Sequence, residues 1–147
     1  MKSTIQNIAL LWLRVAVGLG LMVHGWLKLN AGVGGFAETA VAPLGFPLPM
    51  LFAWLAVASE LLGGFFLILG LWTHFAASAA AITMGVAAFG RNWEHPFIAA
   101  GGPSKELPLA YLVVVVAILL LGPGAYSVDG GKRGGSGGGG GKKRKAA

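Results

Sequence analysis

The sequence contains no cysteine and few charged residues. Of 147 residues, 11% are Asp, Glu, Lys or Arg, and 56% are hydrophobic. The absence of cysteine excludes disulfides, iron–sulfur clusters, thiolate zinc sites and a thiol–disulfide relay within this chain. Soluble domains average about 25% charged residues, so the composition predicts an integral membrane protein.

Four long apolar stretches indicate membrane-spanning helices. They cover residues 5–29, 47–71, 75–89 and 107–121. The third stretch is rich in alanine and close to the lower length limit for a span, whereas the other three give strong signals. Tryptophans lie mostly near the predicted ends, as in the aromatic belt of a membrane protein. The sequence therefore predicts an all-α, four-helix transmembrane bundle.

The connections between these stretches differ in length. A tight turn at residues 72–74 makes the second and third helices antiparallel neighbours. Residues 30–46 predict a turn-rich loop with a short interfacial helix, and residues 90–106 predict a second long loop.

Arg14 interrupts the first apolar stretch and no small-residue cleavage site follows it. We therefore expect a retained helix and not a cleaved signal peptide.

The basic residues predict the orientation of the bundle. Lys2 and six basic residues of the tail lie on one side of the four spans, and Lys28, Arg91 and Lys105 lie on the other. The positive-inside rule then places both termini of an inner (plasma) membrane protein in the cytoplasm.

The last part of the sequence differs in composition from the rest. Residues 130–147 consist mainly of Gly, Ser, Lys and Arg, which predicts a disordered cytoplasmic tail after a membrane domain at residues 1–129. We expect this tail to contact anionic lipid headgroups and no specific nucleic acid.

Four polar residues lie within or at the ends of the predicted spans. Glu60 is near the middle of the second stretch, where a carboxylate costs about 2.5–3.5 kcal/mol and needs a partner, a water-lined cavity or a proton. Arg14, His24 and Lys28 share one face of the first helix. We predict that an Arg14–Glu60 ion pair forms the floor of a cavity that opens outward past His24 and Lys28. The alternative is that the pair fixes the register of two helices without any ligand.

The histidines do not have the arrangement of a metal or haem site. His24 and His74 fall at opposite membrane faces in the predicted topology, which disfavours haem ligation. No pair of candidate ligands has the i, i+4 spacing of a helical metal site. We expect no haem, iron–sulfur cluster or metal.

A set of short motifs resembles the DoxX family. Residues 24–29, His-Gly-Trp-Leu-Lys-Leu, match its HGxxKL signature, and Arg14 lies upstream of them. Residues 60–64 with Gly70, and residues 122–129, also resemble the family pattern. Within these motifs we expect a structural role for Gly25, Gly63, Gly64, Gly122, Pro123, Gly124, Tyr126 and Asp129. The resemblance extends over residues 5–129.

This resemblance implies a four-helix membrane fold and an association with quinone-linked oxidation of sulfur compounds or with oxidative-stress complexes. We therefore predict a redox-associated subunit whose pocket binds a quinone headgroup or a small anion, with electrons supplied by an oxidoreductase partner. Two alternatives stay open: a small proton-coupled transporter in which Glu60 titrates, and a non-catalytic assembly subunit. No nucleophile elbow, phosphate loop or dinucleotide fingerprint is present, so no catalytic residue is assigned.

Overall fold

The chain folds as a bundle of α-helices. The computed structural model describes residues 2–134, with side chains through residue 131, and this part of the chain has no β-strand. The helices are α1 (Thr4–Ala31), α2 (Val33–Phe36), α3 (Pro49–Leu69), α4 (Thr73–Gly85), α5 (Glu106–Leu121) and α6 (Val128–Gly134). The predicted all-α architecture is confirmed.

In the part of the chain that the structure describes, three helices are long and apolar enough to cross a membrane: Thr4–Ala31, Pro49–Leu69 and Thr73–Arg91. The third includes a π-helical turn, Val86–Arg91, which continues α4. The apolar helix α5 is shorter, with 16 residues. The sequence predicts that the third span is the one close to the lower length limit. In the structure it is the fourth, because the π-helical turn lengthens α4.

The helix ends follow local rules of backbone hydrogen bonding. α1 begins with a capping box, in which Ser3 Oγ accepts from the Gln6 amide at 3.2 Å and Gln6 Oε1 accepts from the Ser3 amide at 2.8 Å. α3 begins at Pro49 and ends at Leu69, and its C-terminus is capped by Gly70, which has a φ of +64°. Glycine adopts this left-handed conformation without a steric penalty. The turn that follows is short, so α3 and α4 are antiparallel neighbours, as predicted.

The first long connection is mostly helical and packs against α3. After α2 it continues as a π-helical turn, Ala37–Val41, and a 3₁₀ turn, Ala42–Leu44. Buried side chains of this connection form a small cluster with α3. The cluster comprises Val33, Ala37, Val41, Ala53 and Val57. The predicted loop therefore contributes to the bundle and is not only a surface turn.

The main apolar core lies between α1, α3, α4 and α5. Small side chains on α4 allow the helices to approach closely, and larger side chains from the other three fill the centre. The buried residues of this core are Val17, Leu21, Leu67, Ala76, Ala77, Ala80, Met84, Val115 and Ile118.

Helices α1 and α3 cross at a pair of glycines. A Cβ atom at Gly18 would lie 2.6 Å from the Gly64 carbonyl oxygen, and a Cβ atom at Gly64 would lie 2.6 Å from the Gly18 carbonyl oxygen. No side chain fits between backbones this close. Gly25 packs in the same way against Glu60 and Leu61. These contacts fix which residues of the two helices lie at the same depth.

The chain after α5 returns across the end of the bundle at which α1 begins, which we call the terminal end. The Ala125 amide donates to Asn7 Oδ1 at 2.8 Å, and the Asp129 amide donates to the Gly70 carbonyl at 2.9 Å. The helix α6 spans the predicted domain boundary after Asp129. Within it, the Gly130 amide donates to Ser127 Oγ at 2.9 Å and the Gly131 amide donates to the Ser127 carbonyl at 3.1 Å. The rest of the predicted tail, residues 135–147, lies outside the described residues.

Candidate functional site

A cavity of about 310 Å³ lies at the opposite end of the bundle, which we call the loop end. The helical connection before α3 forms one wall, α3 forms the second, and α4 with its π-helical turn forms the third. Most of the lining is aliphatic or aromatic, including Phe36, Phe46 and Phe52. Small-molecule sites in proteins have volumes of roughly 300–1,000 Å³ and apolar walls with few polar groups. The cavity has both properties.

An ion pair borders this cavity. Lys28 Nζ, near the end of α1, contacts Glu60 Oε1 on α3. Glu60 is fully buried, whereas the Lys28 side chain is 21% exposed and lines the cavity. The second oxygen, Glu60 Oε2, has no hydrogen-bond partner among the described residues. Lys28 has three N–H donors, of which one is directed at Glu60, so the ammonium retains donors for a bound group.

A second cation reaches the same aromatic ring as Lys28. Lys28 Nζ lies 5.0 Å from the centroid of the Phe36 ring, and the Arg91 guanidinium carbon lies 6.0 Å from it. Both distances fall within the range of cation–π contacts. Arg91 is the last residue of the π-helical turn and also lines the cavity. Two cations therefore lie beside a largely apolar space.

Two hydroxyl groups lie on the wall formed by α3 and α4. Ser59 Oγ and Thr83 Oγ1 are 2.6 Å apart. Ser59 Oγ is also 2.8 Å from the Ala56 carbonyl oxygen, and Thr83 Oγ1 is 3.1 Å from the Ala79 carbonyl oxygen. Two hydroxyl protons serve these three contacts, so the pair has no proton left for a ligand. The hydroxyls can accept hydrogen bonds, and the donors at the cavity are Lys28 and Arg91.

Part of the apolar cavity lining is exposed at the side of the bundle. Leu55, Ile82 and Val86 line the cavity and are also exposed at the bundle surface. In a membrane protein such surfaces face lipid.

Arg14 does not pair with Glu60, contrary to the sequence-based prediction. Its Nη2 donates to the Tyr126 carbonyl oxygen, and its guanidinium packs against Gly70. Lys28, and not Arg14, lies beside Glu60. Lys28 is fourteen positions further along α1 than Arg14, which corresponds to about 21 Å of helix rise. If the middles of the first and second apolar stretches lay at the same depth in the membrane, residue 17 of α1 would lie opposite residue 59 of α3. The glycine contacts shift α3 along α1 instead, and Arg14 is brought to the terminal end.

The C-terminal motif surrounds Arg14. Asp129 Oδ2 accepts from the Thr73 amide at 2.8 Å and from Thr73 Oγ1 at 2.9 Å, and Asp129 Oδ1 accepts from the Trp72 amide at 3.2 Å. Asp129 thus caps the start of α4 from a distant part of the sequence, and it interacts electrostatically with Arg14. The side chain of Tyr126 is exposed, as expected of an interface residue. Arg14 Nε and Nη1 have no hydrogen-bond partner among the described residues.

His24 does not line the cavity. Its ring meets that of Tyr111 on α5 edge-on, with centroids 5.6 Å apart and an angle of 88° between the rings. The Tyr111 hydroxyl in turn packs over Gly20. His24 therefore lies at the contact of α1 with α5, close enough to Glu60 for an electrostatic interaction.

The motif glycines have different surroundings. A Cβ atom at Gly63 would lie 3.7 Å from the Ala76 carbonyl oxygen, an ordinary contact. Gly122 and Gly124 have φ values of +77° and +79°, and they allow the chain to turn after α5 together with Pro123, which is buried. The tight positions are therefore Gly64 and Gly25, whereas Gly63 has room for a methyl group.

Several residues at the cavity were not identified from the sequence as site residues. Phe36 lies in a segment interpreted as a loop, and Arg91 was used only to predict orientation. The hydroxyls of Ser59 and Thr83 gave no signal either. Ser59 directly precedes Glu60 in the sequence, and this adjacency of a hydroxyl to a buried carboxylate was the one available indication. Within residues 2–134, no group of three or more His, Cys, Asp or Glu side chains could hold a metal ion.

The fold and cavity define a multi-pass membrane protein built as a small helical bundle. A profile of the DoxX family matches residues 9–93, more than half of the chain. The chain is also 33% identical over 132 residues to the inner membrane protein YphA of Escherichia coli (strain K12), a match that covers 84% of this chain and 90% of YphA. The chain therefore belongs to the DoxX family, as its motifs indicated, and is an inner membrane protein. No solved structure matches it significantly.

Proposed function

We propose that this DoxX-family protein is a redox-associated membrane subunit that binds the headgroup of a lipid-soluble quinone, or a small anionic ligand, in the cavity at the loop end. The observation that carries the proposal is the position of the Lys28–Glu60 pair at the border of a cavity of about 310 Å³ with apolar walls.

The cavity has the chemical groups that a quinone ring requires. A quinone carbonyl accepts hydrogen bonds, and Lys28 and Arg91 are donors at the cavity. Glu60, in contact with Lys28, provides a nearby carboxylate for proton transfer. The aromatic side chains of Phe36, Phe46 and Phe52 provide flat apolar surfaces for a ring.

The exposed part of the cavity lining favours a ligand that is dissolved in the bilayer. Leu55, Ile82 and Val86 line the cavity and are exposed at the bundle surface, and we infer that they form its apolar rim. An isoprenoid chain can remain among lipid chains at this rim while the headgroup occupies the cavity. A water-soluble substrate would not need such an entrance.

Electrons would come from a second protein. The chain has no cysteine for an iron–sulfur cluster or a dithiol, so we assign the electron transfer to an oxidoreductase partner. We infer from the distribution of lysine and arginine that both termini lie in the cytoplasm, in which case the cavity would lie toward the outer face of the inner membrane.

Purification from native membranes tests this proposal. The protein is isolated with mild detergent, its lipids are extracted and analysed for quinones, and proteins that co-purify are identified by mass spectrometry. We expect bound quinone and an oxidoreductase partner, and a reduced quinone content in the double variant Lys28→Met with Glu60→Met, which removes both charges of the pair and leaves no buried charge unpaired. The control is Lys105→Met, since Lys105 lies over the ring of Trp93 and does not line the cavity. Finding neither quinone nor an oxidoreductase would contradict the proposal.

A proton-coupled transporter is a second candidate, favoured by one observation. Glu60 Oε2 is buried and has no partner among the described residues, as expected of a carboxyl that takes up and releases a proton. In proteoliposomes with a pH gradient, a transporter would carry substrate or protons, and Glu60→Gln would abolish this flux. Absence of flux together with bound quinone supports the subunit role.

A further inference from the structure

The cations at the cavity outnumber its carboxylates. Lys28 and Arg91 approach the same ring of Phe36, and the Lys28 charge is matched by Glu60. No carboxylate in the described part of the chain forms an ion pair with Arg91. Arg91 is exposed and lines the cavity, so its guanidinium is available to a bound group.

An available cation beside an apolar cavity favours an anion. Charge-assisted hydrogen bonds are stronger than neutral ones, and the planar guanidinium of arginine binds carboxylate and phosphate groups with two parallel bonds. The hydroxyls of Ser59 and Thr83 have no free proton, so Lys28 and Arg91 supply the donors.

The local helix geometry also points to a binding role for Arg91. Arg91 ends a π-helical turn, and a second π-helical turn, Ala37–Val41, contributes Ala40 and Val41 to the facing wall. π-helical turns occur frequently at functional sites. The wider turn changes the direction in which the last side chains point, so an α-helical continuation of α4 would direct residue 91 elsewhere.

We propose that the cavity selects an acidic amphiphile, an apolar chain ending in a single anionic group, and that Arg91 determines this selectivity by binding the anionic group together with Lys28. The inference rests on the proposed function and narrows it to the anionic class of ligand. Two sources share this chemistry: a free long-chain acid and an anionic phospholipid of the surrounding bilayer.

Photolabelling in lipid nanodiscs tests the proposal. The full-length protein is placed in phosphatidylcholine nanodiscs and exposed to a diazirine-bearing long-chain carboxylic acid or to the matching long-chain alcohol. Labelled residues are mapped by mass spectrometry. We expect the acid to label the cavity walls at about tenfold lower concentration than the alcohol, as for one charge-assisted hydrogen bond. Equal labelling by acid and alcohol would overturn the inference.

Variants of two cationic residues identify the selecting group. Arg91→Gln should lower labelling by the acid about tenfold and leave labelling by the alcohol unchanged, whereas Arg91→Lys should retain part of the preference. The control is Lys105→Gln, because Lys105 is also in contact with an aromatic ring at the loop end but does not line the cavity. An unchanged preference in Arg91→Gln would refute the role of Arg91. Thermal unfolding of each variant verifies that it is folded.

Two further measurements separate the sources and the two proposals. Phosphatidylglycerol added to the nanodiscs should compete with the acid if the natural occupant is a phospholipid, and should not compete if it is a free acid; both results support an anionic ligand. A short-chain quinone that displaces the alcohol probe while the acid binds no better than the alcohol would reject this inference and keep the proposed function. Absence of cavity labelling by every probe, with no quinone in native preparations, would reject both.

Discussion

The two ends of the bundle each contain a buried charged residue, but the surroundings of these residues differ. At the terminal end, Arg14 is enclosed by the chain itself, with Gly70 against its guanidinium and the Tyr126 carbonyl as acceptor. At the loop end, Glu60 and its partner Lys28 border an open cavity. The first arrangement ties the C-terminal segment to the bundle. The second leaves room for a ligand.

This difference shows that a charge at membrane depth does not by itself identify a binding site. Intramembrane charged residues are commonly functional because their burial is costly, but the same cost is also met by enclosing the charge in protein backbone and carboxylate groups. The distinguishing property is space beside the charge. Arg14 contacts backbone on two sides, whereas Lys28 has an apolar cavity beside it.

The largest expected effect comes from breaking the ion pair at the loop end. Lys28→Met leaves the buried carboxylate of Glu60 without its cation and should lower the free energy of unfolding by about 3–5 kcal/mol. The double variant Lys28→Met with Glu60→Met should recover most of this loss, because both charges are removed. Thermal or denaturant unfolding in detergent measures the effect.

The matched control for this pair is Arg14. Arg14 and Lys28 are about 21 Å apart along α1 by helix rise, so the effects of Arg14→Met and Glu60→Met should add within about 0.5 kcal/mol. A strong coupling of Arg14 with Glu60, and none of Lys28 with Glu60, would show that the helix register is wrong.

The second effect concerns the enclosure at the terminal end. A Cβ atom at Gly70 would overlap the Arg14 guanidinium, and the backbone has a positive φ at this position. Gly70→Ala should therefore lower stability by about 2–4 kcal/mol, through strain and overpacking. Gly35→Ala is the control, because no atom lies within 4 Å of a Cβ atom added there, and we expect a change within about 0.5 kcal/mol. Equal melting temperatures of the two variants would contradict this account.

The third effect concerns the capping of α4 by Asp129. Asp129→Asn weakens the charge-assisted hydrogen bonds to the amides of Trp72 and Thr73 and should cost about 1–3 kcal/mol. Amide hydrogen exchange should increase in the first turn of α4. Glu106→Gln is the control, since Glu106 is exposed in the first turn of α5. If exchange in α4 is unaffected, the C-terminal segment does not hold this helix.

The sequence was sufficient to predict the fold class and the family, and the physical reason is hydropathy. A stretch of apolar residues long enough to cross a bilayer has few alternatives to a helix. The order and spacing of the short motifs indicated the family. The ends of the helices were less predictable. The segment at 30–46 contains several glycines and a proline, which predict turns, yet packing of Val33, Ala37 and Val41 on α3 makes most of it helical.

The pairing of charges could not be predicted from the sequence because it depends on the register of two helices. A shift of α3 along α1 by about two turns moves Glu60 away from Arg14 and toward Lys28. The shift is set by the contacts of Gly18 with Gly64 and of Gly25 with Glu60, and these positions were recognised only as small residues. The sequence correctly predicted that Glu60 is buried. It also included Lys28 among the site residues, but it did not predict that Lys28 pairs with Glu60.

The smallest expected effect tests whether His24 belongs to the cavity, as the sequence suggested, or to the contact with α5. The edge-on contact of His24 with Tyr111 is worth about 0.5–1.5 kcal/mol, so His24→Leu should lower stability by that amount. Photolabelling of the cavity should be unchanged, in contrast to Arg91→Gln, because His24 does not line the walls. Tyr111→Leu should have the same pair of effects as His24→Leu. A loss of labelling in His24→Leu without a loss in Tyr111→Leu would place His24 in the binding site and extend the cavity toward α5.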